Sequence, residues 1–235
     1  MALGFWFEIV NGKAVLRTSV VARADDADDD PEARSMEAAI LPALFDALNS
    51  SALIDRPDDF FTALPMARLA ENGPWLVLAK MHYLLPRSTF YLRNCFFEAA
   101  DAISEQASTI LTGPPGVGKT ICLMYLLWQL VARPARRVMF VHLTDVVYFG
   151  PRAIHRLNAL PPSRDGLWAN DLWLLFDAEG KTAADLDDIP FEKCRLVLAA
   201  GSKNADVVQL VETKTTPLVF NMHEWTEDEH HKLAC

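Results

Sequence analysis

TILTGPPGVGKTICLMYLLW, residues 109–128, is a short apolar run that breaks into a glycine- and proline-rich turn and resumes as an apolar helix. Within it Gly113, Pro114, Pro115, Gly116, Val117, Gly118, Lys119 and Thr120 fit GxxxxGK[ST] without deviation, the phosphate-loop (Walker A) pattern. The chemistry behind that pattern is specific. Backbone N–H groups must converge on phosphate oxygens at a helix N-terminus, where the dipole favours anions and a Cβ would hold the backbone off. That explains glycine at 113, 116 and 118. Lys119 then neutralises the β- and γ-phosphates in binding and in catalysis, and the Thr120 hydroxyl takes one position on an octahedral Mg²⁺.

The helix that follows is apolar almost all round, as expected of a helix sandwiched beneath such a loop. Working outward, five β-prone runs are predicted: Ser108 to Thr112, Val138 to Leu143, Leu172 to Asp177, Arg195 to Ala200 and Leu218 to Asn221. Stretches between them, clearest at 120–133 and 204–212, suit crossover helices. Strands alternating with helices imply a parallel sheet covered on both faces, with nearly continuous apolar strands such as LWLLF and RLVLAA.

A metal-side carboxylate is expected at another strand end, and Asp177 closes the run LWLLFD. Glu179 is the candidate to orient or deprotonate an attacking water, although Ala178 stands where a glutamate directly after the aspartate is usual. A loop carboxylate without a task is the alternative. In AAGSKN, Ser202 and Asn204 suit γ-phosphate contact or, for Asn204, a helix N-cap. Glu212-Thr213-Lys214 has a nuclease-like ExK spacing but is read as a helix end, and the terminal histidines lack partners at metal-ligand spacing.

Ahead of the loop, STFYLRNCFFEAADAISEQ is predicted as an amphipathic helix burying Phe96, Phe97 and Ile103. Residues 36–55 form another behind Ser35, and PWLVLAKMHYLL fits strand or buried helix. Asn11-Gly12 between β-prone runs predicts a hairpin over 5–21. The intervening 22–35 is acidic and poor in apolar residues, so it reads as a linker. The domain scheme is therefore 1–21 hairpin, 22–35 linker, 36–87 helical or mixed, and 88–235 nucleotide-binding.

Composition sets limits. The chain has 235 residues, 51% hydrophobic and 23% charged, which excludes a wholly disordered protein. No apolar run reaches the roughly 20 residues of a membrane span, and the N-terminus lacks a basic lead-in to a secretory signal. Four cysteines without paired spacing suggest free thiols in a soluble protein of a reducing compartment. A net charge of −9 makes nucleic acid an unexpected partner. Arg133, Arg136 and Arg137 are read as a solvated helix end and loop.

The succession FYLRN (90–94), TGPPGVGKTICLMYLLWQL, LWLLFD, RLVLAAGSKN and FNMHEWTEDE resembles the nucleotide-binding region of Crinkler-type effectors and the related retrotransposon hot spot proteins. These carry similar Phe-Tyr-x-Arg and Trp-Ser/Thr-x-x-Glu elements before and after the core. The resemblance implies a P-loop NTPase of the additional-strand class, a three-layer α/β sandwich with strand order 5-1-4-3-2, preceded by a small α+β part. LVLAK at 76–80 is similar to the LFLAK-type motif of that family's header module. Also implied are non-conventional secretion into a host cell, with the nucleus as a destination, and a host protein as target. The expected function is Mg²⁺-dependent binding and hydrolysis of ATP or GTP as a conformational switch. The alternative is a nucleotide-stabilised interaction module without hydrolysis.

Overall fold

The structure is a computed structural model that describes residues 3–10, 13–20, 48, 51–56, 59–71, 73–81, 87–132, 136–151 and 153–234. Its centre is an eight-stranded sheet. The five apolar runs anticipated from sequence form β7 (Ser108–Thr112), β8 (Arg137–His142), β11 (Leu172–Asp177), β12 (Arg195–Ala199) and β13 (Leu218–Asn221). They lie in the order β13-β7-β12-β11-β8, every neighbouring pair parallel. Numbered along the chain, that is the expected 5-1-4-3-2.

The side-chain alternation of a strand divides the core in two. Val138, Phe140, Trp173, Leu175 and Val197 join the face covered by α2 (Asn94–Ser104) and α3 (Lys119–Val131). Met139, Val141, Leu174, Phe176 and Leu198 join the other, against Val207 and Val211 of α5 (Ala205–Lys214). Both faces are therefore buried, which is why β11 is apolar at every position before its terminal Asp177.

Beyond β8 the sheet departs from the sequence reading, which predicted only the five strands. The chain turns through Leu143, at φ 49°, into β9 (Asp145–Phe149), and then into β10 (Ile154–Leu157). Both pair antiparallel with their neighbours, and β3 (Ala52–Leu53) closes the edge on β10. The helix predicted over 36–55 therefore does not reach its expected end. Leu48 is helical, but the amide and hydroxyl of Ser51 both donate to its carbonyl and stop the helix before β3.

A second correction concerns the approach to α2. Thr89–Tyr91 is a strand, β6, because its β-branched and aromatic residues pair antiparallel with β5 (Trp75–Val77), itself paired with β4 (Arg68–Leu69). The helix begins only at Asn94, burying Phe96 and Ile103 and half-burying Phe97. Residues 75–77 are thus strand, and Leu76 and Leu78 of the LVLAK stretch sink into the same cluster as Phe96 and Leu123. Short α1 (Phe60–Ala63), capped by Asp59, adds Phe60 and Phe61 to that cluster.

At the N-terminus β1 (Leu3–Val10) pairs antiparallel with β2 (Lys13–Val20), Val10 opposite Lys13. Asn11, Gly12, the acidic run 22–35, Arg133 and Cys235 lie outside the described residues. Cys95, Cys122 and Cys194 are buried free thiols, and burial pushes Cys95 up to about 11 and Cys194 up to about 12. Among the described residues no helix is long and apolar enough to cross a membrane. Short α4 (Ala183–Leu186), between β11 and β12, lies beside α5, and α6 (Glu227–Ala234) follows β13.

Candidate functional site

The site forms where the parallel strands end. The loop 113–118 leaves β7, and α3 starts with Cys122 N–H donating to the Gly118 carbonyl at 2.8 Å. The N–H groups of the preceding turn thus have no partner within the helix. Gly113, Gly116 and Gly118 have φ of 141°, 79° and 97°, values that side-chain-bearing residues rarely adopt. Gly113 is doubly constrained, since a Cβ there would stand 2.5 Å from the Met222 carbonyl oxygen.

Lys119, half-buried at the start of α3, folds back on the loop. Its Nζ donates to the carbonyls of Gly113 at 2.9 Å and Pro114 at 3.0 Å. Burial lowers its pKa, against the opposing attraction of Asp177. Pro115 and Gly116 are exposed at the tip, whereas Val117 is buried.

Thr120 and Asp177, 57 residues apart, are brought together: Thr120 Oγ1 donates to Asp177 Oδ2 at 2.6 Å. The same Oδ2 lies 3.1 Å from His142 Nδ1, and Oδ1 accepts from the Glu179 amide at 3.1 Å. Burial alone would raise the Asp177 pKa, but the bonds from His142, Thr120 and the Glu179 amide outweigh it and hold the carboxyl below its ordinary value. The hydroxyl–carboxylate pair is an all-oxygen set that suits a hard cation. Among the described residues no cluster of three or more His, Cys, Asp or Glu could hold a metal ion. A cation at this pair would therefore draw its other oxygens from water and ligand phosphates, as Mg²⁺ usually does.

Glu179 follows buried Ala178 and is exposed in a turn. Asn204 is the first residue before α5 but makes no side-chain cap. Its Oδ1 accepts from Gly201 N–H and its Nδ2 donates to the Ala178 carbonyl at 2.7 Å, tying the ends of β11 and β12 together. Ser202 is exposed and lines a cleft of about 650 Å³ with Thr112, Gly113, Gly201, Glu212 and Asn221. Arg156 of β10 pairs with Asp145 of β9 at 2.9 Å.

Three participants escaped the residue-by-residue reading. His142 is the polar end of the apolar run VMFV, the same signal that singled out Asp177. Arg93 and Trp225 were visible only as parts of the elements FYLRN and FNMHEWTEDE. Arg93 is fully buried, donating to Glu229 at 3.0 Å and to the Val117 carbonyl at 2.7 Å, with its guanidinium 4.5 Å from the Trp225 ring. Trp225 Nε1 in turn donates to the Gly116 carbonyl at 3.1 Å.

No family model matches the chain. It is similar to Crinkler effector protein 15 and Crinkler effector protein 16 of Phytophthora infestans, 26% identical to each over 169 residues. That alignment takes in 69% of this chain and 27% of each relative, so the chain spans about a quarter of their length.

Proposed function

We propose that the region from residue 88 onward is a P-loop NTPase domain of the additional-strand class, which binds and hydrolyses Mg²⁺-ATP or Mg²⁺-GTP. Backbone N–H groups of 113–118 would receive the phosphates, Lys119 would exchange its two loop carbonyls for phosphate oxygens, and Thr120 with Asp177 would hold Mg²⁺. The ion would supply charge neutralisation between phosphates. The observation that carries this reading is the 2.6 Å contact between Thr120 and Asp177 at the N-terminus of α3. Two elements far apart in sequence there present a hydroxyl and a carboxylate beside a glycine-shaped anion cradle.

The domain would serve an effector protein. The similar proteins bear the name of effectors, which supports delivery into a host cell and action on a host protein there. A thermal-shift panel of ATP, GTP and their diphosphates, with and without Mg²⁺, tests nucleotide binding. At 100 times the dissociation constant the ligand should stabilise the fold by about 2.7 kcal/mol. No shift with any nucleotide at millimolar concentration would refute the reading.

One observation favours a second reading, binding without hydrolysis. Buried Ala178 directly follows Asp177, and Glu179 sits exposed one residue further on. If Glu179 positions the attacking water, Glu179→Gln should lower hydrolysis by about 10²–10⁴-fold with binding nearly intact. A wild type that binds nucleotide but turns it over no faster than this variant is an interaction module.

A further inference from the structure

A loop that offers N–H groups to an anion must turn its carbonyl oxygens outward, because the C=O of one residue and the N–H of the next point opposite ways across a trans peptide. Every peptide bond of the loop is trans. Those outward oxygens need donors of their own. In this protein the two from the middle of the loop are met by side chains remote in sequence. Val117 O accepts from Arg93 Nη1 at 2.7 Å, and Gly116 O from Trp225 Nε1 at 3.1 Å. The first contact turns the Gly118 N–H toward the inside of the loop. The second belongs to the peptide whose N–H, that of Val117, closes a 3.4 Å turn onto Pro114 O.

The donors are themselves locked. Arg93 Nε and Nη2 grip the Glu229 carboxylate at 3.2 and 3.0 Å, and Nη2 also donates to the carbonyls of His223 and Glu224 at 3.1 and 2.8 Å. Trp225 packs between Arg93 and Tyr91. Glu229 accepts from Thr226 N–H while its own amide donates to Thr226 Oγ1, a reciprocal cap that starts α6. Glu229 thus serves the cap and the arginine at once, so α6 can form in place only where Arg93 receives it.

We infer that residues 223–234 are a backstop for the anion loop, with Arg93 as a positioning residue, so that docking of α6 and filling of the loop are linked. The inference rests on the nucleotide reading for its ligand but not for the clasp itself. By reciprocity, a ligand that fixes the loop tightens α6, and whatever draws α6 away weakens the ligand. The C-terminal helix is therefore the lever through which a partner or a following segment would report on the site.

Hydrogen exchange followed by mass spectrometry on the full chain tests this. In ligand-free protein, Glu229→Gln should speed exchange in 113–120 as well as 223–234 by about tenfold, the weight of a charge-assisted hydrogen bond. Lys232→Ala, on the exposed side of α6, should change neither. Trp225→Phe, which keeps a ring and removes the donor to Gly116, should raise the dissociation constant for Mg-ATP or Mg-GTP by about threefold to tenfold. Faster exchange confined to 223–234 in Glu229→Gln, with the loop as in wild type, would overturn the linkage. Wild type that binds neither nucleotide refutes the nucleotide reading alone, and the ligand-free exchange still decides the clasp.

Discussion

Lys119 and Arg93 both donate to carbonyl oxygens of one loop, yet they hold it from opposite sides and under different terms. Lys119 is half-buried, its Nζ donates to the Gly113 and Pro114 carbonyls, and burial depresses its pKa. Arg93 has no exposed surface and is fixed by a carboxylate, three carbonyls and a tryptophan face. The front cation holds contacts that a phosphate can replace with better ones. The back cation holds contacts that nothing replaces. On the proposed reading the same residue class would serve once to bind a ligand and once as scaffold, with burial and the anionic partner making the difference.

The largest effect that would break this contrast is on the scaffold side. Removing one member of a buried ion pair strands the other, at a cost of about 3–5 kcal/mol. Glu229→Ala should therefore lower unfolding free energy by that amount in urea titrations. Lys119→Ala should stay within about 0.5 kcal/mol of wild type, as for a side chain with no core role. Equal losses for the two variants would erase the distinction.

Gly113→Ala comes next. Its φ of 141° is unfavourable for alanine, and the new Cβ would meet the Met222 carbonyl 2.5 Å away. Strain of about 1–3 kcal/mol is expected in the same titration. Gly116→Ala should cost less, because its Cβ would enter open space and only the φ of 79° is penalised.

The smallest effect is the pH dependence of the clasp. Burial would raise the Glu229 pKa, but the Arg93 bonds and the Thr226 amide outweigh it and hold the carboxyl below its ordinary value of 4.5. The unfolded chain then binds the proton first as pH falls. The contribution is complete above the unfolded value and is lost as pH drops through the folded one. The difference in urea midpoint between wild type and Glu229→Gln should be constant above about pH 5 and shrink below about pH 4. Asp177, held below its ordinary value, and His155, lowered by burial, titrate alike in both proteins, so the difference isolates Glu229.

How much of this was legible follows from what each feature depends on. The five strands were readable because all but the edge strand β13 are buried on both faces and so are nearly continuous apolar runs, LWLLFD ending in its one polar group; their order came from the family resemblance. β9, β10 and β3 were not, since DVVYF takes its identity from antiparallel pairing with β8, and IHRL from pairing with β9 and β3. The loop and Thr120 follow from a local pattern, and Asp177 from a strand end. Arg93 pairs with a carboxylate 136 positions away, which no local periodicity encodes. His142 carries a local signal, as the polar end of the apolar run VMFV.

The central claim is that the loop 113–120 takes Mg-nucleotide through Lys119, and isothermal titration tests it most directly. Wild type and Lys119→Ala would each be titrated with Mg-ATP and with Mg-GTP. The account predicts a single site for at least one nucleotide in wild type, abolished in Lys119→Ala while the melting temperature of the ligand-free variant is unchanged. Equal affinity in both proteins, or no binding heat from either nucleotide at millimolar concentration, would contradict it.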